Sequence, residues 1–331
     1  MTPQERRAEA SLVTYAFHLA LTAMGIKALA DAIRLWATVS AEPSRVAPTA
    51  ASWIGQAVRF ILLRRRDTRA LALAYYRLVR ALHTGHTLPS PDGTGGRVPL
   101  SVLRRRFLEA LGLYAPEVLN DPEIASSSLQ QGSADLEVVI DELEDLIDAL
   151  EDDSTAEEEA EIILDALGPR NLERKLEQIR DDLPAREVDR LREEARRAVA
   201  RRQAAAAERM IKNGGRGAVF DLADKDDQVL GWARVSMTGT PCGWCAMLIS
   251  RGPVYKSATS ASIGLDHEGD LYHDNCNCIA VPVFSEEQYA EDPRFNLNRE
   301  YGQLWPRVTA GLGGKAALSK WRKYFRKNET N

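Results

Sequence analysis

The sequence predicts an α+β protein. The N-terminal two thirds are mainly helical, and a small α/β module and a basic C-terminal helix follow. Three observations predict this fold class. Apolar residues recur every three or four positions through most of the first two thirds of the chain. Short segments of alternating polarity then surround the cysteines. Basic and aromatic residues share the last helical segment.

The composition is typical of a globular protein. The chain has 331 residues, of which 44% are hydrophobic and 27% are charged. This is enough apolar material for a core, and it argues against wholesale disorder. The N-terminal pattern is amphipathic and lacks the features of a secretory signal. No uninterrupted apolar run reaches the roughly 18 residues of a membrane span. We therefore expect a protein that is made in a cytoplasm and has no membrane partner.

Two long helical segments open the chain. Residues 4–41 and Trp53–His83 carry apolar side chains at helical spacing, and Glu42–Pro43 ends the first segment. The glycines and prolines of His83–Pro99 predict a linker. A short basic helix is then predicted over Leu100–Leu113.

Charge divides the middle of the chain. No Lys or Arg occurs between Arg106 and Arg170, and Ala134–Leu150 predicts an acidic amphipathic helix. An arginine-rich helix follows Pro184. We expect its arginines to pair with the acidic segment, and contact with DNA is the alternative. The glycines of Asn213–Gly217 predict the end of this helix and a domain boundary. The chain is thus divided into an N-terminal helical region (1–85), a linker with a short helix (86–133), a charged helical region (134–213), a cysteine-containing module (214–284) and a basic C-terminal segment (285–331).

The four cysteines form two short clusters. Cys242 and Cys245 form a Cys-x2-Cys turn, and His273, Cys276 and Cys278 follow, so the spacing is C-x2-C-x27-H-x2-C-x-C. Two clusters of soft ligands separated by a loop are typical of a tetrahedral zinc site. We predict one structural zinc ion with Cys242, Cys245, His273 and Cys278 as its ligands. Cys276 is the alternate ligand, because we expect the side chains of the Cys-x-Cys step to diverge.

Two other states of the cysteines are possible. They are a pair of disulfides and four reduced thiols in a packed core. Zinc is favoured because cytosolic thiols stay reduced and short paired spacings are typical of metal sites. A metal ion would contribute most of the stability of a module that is too small to bury a large core.

Short strands flank the cysteines. Gly231–Ser236 alternates, with Trp232, Arg234 and Ser236 on one side, and predicts a strand that leads into the first cysteine pair. Ile279–Phe284 predicts a second strand and Val254–Tyr255 a shorter one.

The last helix mixes aromatic and basic residues. This mixture suits a phosphate backbone or an acidic protein groove. A helix packed by its aromatic residues, with its lysines outside, is an equally good interpretation. The candidate residues for contact with nucleic acid or a partner are Lys320, Arg322, Lys323, Arg326 and Lys327.

The cysteine-containing stretch resembles a known family. Thr238–Leu248, followed by His273–Val283, is similar to the C-terminal motif of Mu F-like phage minor head proteins, in the form found in phages of actinobacteria. That motif is C-x2-C-x2-L-x-G followed by H-x2-C-x-C-x3-P. Leu248 matches it, Gly252 arrives two residues late, and Asn277 replaces the basic residue of the family. The resemblance covers about the last third of the chain.

The resemblance implies a minor capsid protein that acts in phage head morphogenesis. Such a protein is present in few copies in the virion, inside the capsid and near the portal. The implied partners are the portal protein and the capsid or scaffold proteins. The implied role also includes packaging or ejection of DNA, which makes packaged DNA a further partner. The resemblance implies no catalytic chemistry.

A hydrolase is the alternative function, either a capsid maturation protease or a nuclease that uses a Cys/His pair or zinc. Cys242 or Cys245 with His273 or His267 would supply a nucleophile and a base. However, the paired spacing of all four cysteines suits metal binding better than a single nucleophile. The sequence also lacks a serine-centred motif and the H-x-E signature of zinc deaminases. We therefore predict no catalytic residues.

Overall fold

The computed structural model describes residues 1–89, 96–131, 135–141, 154–180, 182–237, 239–253 and 276–328. The described helices are α1 (Pro3–Trp36), α2 (Pro43–Thr84), α3 (Leu100–Tyr114), α4 (Pro122–Ala125), α5 (Ser128–Gln131), α6 (Ser154–Leu167), α7 (Pro169–Leu176), α8 (Ala185–Asp224), α9 (Gly243–Ile249), α10 (Glu286–Glu291), α11 (Asn296–Val308) and α12 (Gly314–Asn328). The described strands are β1 (His86–Thr87), β2 (Gly96–Pro99), β3 (Glu137–Ile140), β4 (Gly231–Ser236) and β5 (Cys278–Val283). The predicted α+β class, helical for most of its length, is confirmed.

The two N-terminal helices differ from the prediction at their ends. α1 ends at Trp36 instead of residue 41, and α2 begins at Pro43, well before Trp53. A proline fits the first turn of a helix, where a backbone N–H has no intrahelical partner. By length and composition alone, both helices are apolar enough to cross a membrane, but core helices pass the same test. Both helices contribute buried side chains to hydrophobic cores.

One compact unit is formed by Leu21–Ala70 and Glu151–Gly215. The rings of Trp36 and Trp53 meet edge to face in its core, with centroids 4.7 Å apart. Apolar residues of α6, α7 and α8 pack around this pair. The indole N–H of Trp36 donates to the carbonyl oxygen of Arg196 at 3.1 Å, so this buried polar group is satisfied.

The other compact unit is formed by Met1–Ala20, Leu71–Leu150 and Arg216–Asn331. Phe17 stacks on Tyr75 with ring centroids 4.2 Å apart. Both described sheets lie in this unit, a three-stranded sheet in the order β1-β3-β2 and the antiparallel pair β4-β5. Each unit combines segments that are far apart in the chain, and the five-region division, which follows sequence order, stays a prediction.

A buried ion pair lies in this second unit. The Nε of Arg80 is 2.6 Å from a carboxylate oxygen of Asp226, and the hydroxyl of Tyr76 donates to the same carboxylate at 2.6 Å. Burial raises the pKa of Asp226, but the hydrogen bonds from Arg80 and Tyr76 outweigh it, and the pKa lies below its ordinary value. The stabilisation is therefore present above the ordinary pKa of an aspartate and is lost as the pH falls through the depressed pKa.

The helix predicted over Ala134–Leu150 is wrong for the part that the structure describes. Glu137–Ile140 forms β3, which runs parallel to β1 and antiparallel to β2, with Val98 opposite Val138. Three β-branched residues in a row favour a strand, although the spacing of the apolar residues also fits a helix. The remainder of the predicted helix, residues 142–150, lies outside the described residues.

The predicted end of the arginine-rich helix at Asn213–Gly217 is also wrong, since α8 continues to Asp224. Gly214 and Gly215 allow close packing here instead of ending the helix. A Cβ atom on Gly214 would lie 2.7 Å from Oγ1 of Thr68 and 2.9 Å from the carbonyl oxygen of Arg65. Real Cβ atoms are not found at such distances, so only glycine fits.

Several arginines of α8 pair with glutamates of their own helix. Arg190 contacts Glu187 and Glu194, and both Arg196 and Arg197 contact Glu193, all on the same helix. Residues three and four apart are neighbours on a helix surface, so these pairs form locally. The described partners of Arg190, Arg196 and Arg197 are thus local glutamates. Residues 142–153 of the acidic segment lie outside the described residues, so the pairing of α8 with that segment stays a prediction.

We expect Gly214→Ala to destabilise the protein by about 1–3 kcal/mol, because the added methyl group overpacks the contact with Thr68. Gly217→Ala is the matched control in the same helix, where an added Cβ meets nothing within 4 Å. The control should stabilise the protein by up to about 1 kcal/mol, as alanine does in a helix. Urea unfolding measures the change in the free energy of unfolding for both variants. Equal effects of the two substitutions would contradict the close packing at Gly214.

Candidate metal centre

The β4-β5 pair places two kinds of side chain on its two faces. Arg234 is opposite Ala280 and Ser236 is opposite Cys278 in the antiparallel register. Because paired residues share a face and successive residues alternate, Arg234 and Cys278 lie on the same face. The alternate strand residues lie on the other face, where they form an apolar cluster with Phe295. The strand residues of this cluster are Ala233, Val235, Ile279, Val281 and Val283. The strands predicted over Gly231–Ser236 and Ile279–Phe284 are confirmed by this sheet, and the short strand predicted at Val254–Tyr255 lies outside the described residues.

The first cysteine pair lies at the start of α9. Cys242 precedes the helix, and its sulfur accepts a hydrogen bond from the backbone N–H of Cys245 at 3.5 Å. Asn298 of α11 ties the other end of α9 to the sheet. Its side-chain amide donates to the carbonyl oxygens of Arg234 at 2.8 Å and of Ile249 at 3.0 Å. The end of α9 and the middle of β4 are therefore held at a fixed distance.

Three thiols meet between these elements. The sulfurs of Cys245, Cys276 and Cys278 lie within 4.8 Å of one another, and all three residues are buried. The sulfurs of Cys245 and Cys276 are 4.0 Å apart. A disulfide requires about 2.05 Å, so this pair is not bonded. Two thiolates bound to one tetrahedral zinc ion at about 2.3 Å would be about 3.8 Å apart, close to the observed spacing. The three thiols therefore fit a metal ion.

The expected divergence of Cys276 and Cys278 is wrong. Residues separated by one position lie on the same face of an extended chain, and here both sulfurs join the cluster of Cys245. Cys242 is exposed and does not belong to this three-sulfur group. His273 and the alternative base His267 lie outside the described residues. The complete ligand set, with Cys242 and His273, stays a prediction.

Burial and mutual contact favour the protonated form of these thiols. Hydrogen bonds with Cys242, Cys276 and Cys278, and then burial, raise the pKa of Cys245 far above that of a free cysteine. Hydrogen bonding with Cys245 lowers the pKa of Cys278, but hydrogen bonding with Cys276 and burial raise it to about 11. Three adjacent negative charges cannot be accommodated in a buried site without cations. A bound metal ion would supply the positive charge that balances three thiolates, and its binding would release the thiol protons.

Two arginines next to the cluster were not identified from the sequence. Arg234 is buried, and its Nη2 is 3.3 Å from the sulfur of Cys276 and 3.7 Å from that of Cys245. Arg216 of α8 is also buried, and its Nη2 donates to the carbonyl oxygen of Cys276 at 2.7 Å. One sequence signal marks Arg234, which alternates in step with Trp232 in a predicted strand. No local signal marks Arg216, which lies in a helix far from the cysteines in sequence.

Comparison with known proteins relates the chain to proteins of phages. A family model described as "VG15 protein" matches residues 172–304, which is less than half of the chain. The matched residues include all four cysteines and both arginines of the site.

Two relatives come from mycobacteriophages. The Gene 15 protein of Mycobacterium phage D29 is 33% identical over 123 residues, which cover 29% of this chain and 44% of the relative. The Gene 15 protein of Mycobacterium phage L5 is 27% identical over 161 residues, which cover 38% of this chain and 54% of the relative. The chain thus spans about half the length of the curated relatives it matches. No solved structure matches the chain significantly. The similarity is to phage proteins, and the Mu F-like resemblance stays a prediction.

Proposed function

We propose that this protein is a minor head protein of a tailed phage or prophage, of the Mu F-like type, and that it acts in head assembly. The observation that carries the proposal is the buried cluster of Cys245, Cys276 and Cys278 within the region that is similar to a phage protein family. The two mycobacteriophage relatives support a phage role. In this role, the protein lies inside the capsid, is made in the host cytoplasm, and contacts the portal protein and the capsid or scaffold proteins.

The cysteine module has a structural role in this proposal. Its described donors are sulfur atoms in a buried site, and soft thiolate ligands suit Zn²⁺. One zinc ion would link the start of α9 to the segment that leads into β5. A fourth protein ligand, Cys242 or His273, would close the coordination sphere, which is typical of structural zinc sites.

The hydrolase alternative has less support in the described part of the chain. A catalytic cysteine needs a lowered pKa and access to its substrate. Cys245 has a raised pKa and is buried, so its environment is the opposite of that of an activated nucleophile.

The basic helix α12 gives this protein a second candidate contact, with packaged DNA. Trp321 is fully buried and packs against Trp305 of α11 with ring centroids 5.0 Å apart. The aromatic residues of α12 thus serve mainly for packing. Lys320 and Lys323 are exposed on the opposite side, and Tyr324 is partly exposed beside them. An exposed aromatic ring among cations suits a phosphate backbone and its bases.

The role in the head is tested by mass spectrometry of purified phage particles. We expect peptides of this protein in intact virions, at low copy number relative to the major capsid protein. Deletion of the gene should reduce the yield of particles filled with DNA. A protein that is found only in the infected-cell lysate and never in purified particles would contradict the proposal.

Metal content tests the cysteine module. We expect one zinc ion per chain in native mass spectrometry of the purified protein, and loss of this ion in Cys245→Ser and Cys276→Ser, because each removes a soft ligand. Ser250→Ala is the control, since this hydroxyl at the end of α9 donates to the carbonyl oxygen of Met247. Zinc that persists in both cysteine variants would show that the cluster does not hold the metal.

DNA binding by α12 is tested with Lys320→Gln/Lys323→Gln. If both lysines contact phosphates, the slope of log affinity against log salt should fall by about 2, because each contact contributes about 0.9. Arg201→Gln/Arg202→Gln removes two exposed charges from α8 and is the matched control. Fluorescence anisotropy with a duplex oligonucleotide measures the DNA affinity of both double variants as a function of salt concentration. Equal losses in the two variants would indicate general charge attraction, and binding of polyglutamate instead of DNA would indicate an acidic protein partner.

A further inference from the structure

A buried guanidinium faces the sulfurs of the candidate metal centre. Arg234 has only 1% of its surface exposed, although it lies in a two-stranded sheet. Its Nη2 approaches the sulfurs of Cys276 at 3.3 Å and Cys245 at 3.7 Å. The register of β4 and β5 fixes this approach, since it places Arg234 on the face that carries Cys278.

The charge of Arg234 must be balanced where it lies. An arginine side chain keeps its positive charge in proteins, and burying a charge is costly unless an opposite charge lies nearby. A neutral thiol is a weak acceptor, whereas a thiolate offers a negative charge. Zn²⁺ bound by three thiolates and His273 would have a net charge of −1, which the guanidinium balances. With Cys242 as the fourth ligand the net charge would be −2, and the guanidinium would reduce it to −1. The same hydrogen bonds orient the sulfurs that they contact.

We propose that Arg234 is a positioning residue of the metal centre, which donates N–H···S hydrogen bonds to the thiolates of Cys276 and Cys245 and neutralises their excess charge. This inference rests on the proposed zinc site. Groups that hydrogen-bond to metal ligands typically change metal affinity about 10- to 100-fold when they are removed.

Arg216 provides a matched comparison. It is buried beside the same cysteine cluster, but its Nη2 donates to the carbonyl oxygen of Cys276. Replacement of Arg216 by methionine therefore removes a buried arginine of the same size from the same neighbourhood. The sulfur contacts of Arg234 remain in that variant. A general loss of packing should affect both variants equally, whereas a role toward the sulfurs should affect Arg234 variants alone.

The experiment compares wild type, Arg234→Met, Arg234→Lys and Arg216→Met as full chains. Competition with a chromophoric chelator measures the affinity for Zn²⁺, and absorption of the Co²⁺-loaded protein measures the sulfur-to-metal charge-transfer band. For Arg234→Met we expect a loss of zinc affinity of about 10- to 100-fold. The band should move to longer wavelength, because a thiolate that loses a hydrogen bond gives up an electron more easily. Arg234→Lys should restore part of the affinity, and Arg216→Met should keep the wild-type band.

The outcomes separate this inference from the proposed zinc site. If the wild type binds no metal, both are overturned. If the wild type binds zinc and Arg234→Met has wild-type affinity and an unchanged band, only the role of Arg234 is overturned. Equal changes of zinc affinity and of the charge-transfer band in Arg234→Met and Arg216→Met would also overturn the role of Arg234. Should Arg234→Met fail to fold, Arg234→Lys decides, because lysine has a different donor geometry and should still move the band.

Discussion

The contact between the Arg234 guanidinium and the sulfurs of Cys245 and Cys276 is the interaction on which the C-terminal module depends. It joins a strand, a short helix and the segment before β5 at one buried point. A buried guanidinium needs a negative charge nearby, and buried thiolates need a positive one, so each stabilises the other at this point. Asn298 fixes the distance between strand and helix, and Arg216 holds the chain at Cys276. The apolar cluster on the other face of the sheet then supplies the hydrophobic burial.

Local patterns in the sequence predict the elements of this module well. The alternation in Gly231–Ser236 predicts β4, and the spacing of the cysteines predicts that they come together. The partners across the cluster could not be predicted in this way, because Arg216 and Cys276 are 60 residues apart in sequence. The same limit applies to Arg80 and Asp226, which are 146 residues apart and form a buried pair. Periodicity describes which side of an element is buried, and it carries no information about what lies opposite.

The wrong predictions for β3 and for the end of α8 have separate physical causes. In β3, three consecutive β-branched residues and two neighbouring strands outweigh an apolar spacing that also fits a helix. In α8, glycine was interpreted through its backbone freedom, which often ends helices. Gly214 instead serves through its missing side chain, because Thr68 and Arg65 occupy the space that a Cβ atom would need. Only the tertiary contact distinguishes these two uses of glycine.

The metal centre and the basic helix are connected through the two residues between Cys242 and Cys245. The guanidinium of Arg322 in α12 lies over the ring of Trp244, 5.5 Å from its centroid, and Gly243 faces the backbone of the same arginine. The turn that would bind zinc is therefore also the surface on which α12 packs. The region similar to the phage family ends at residue 304, so it includes the turn and excludes α12. The cysteine module therefore supports α12, and this packing leaves Lys320 and Lys323 exposed.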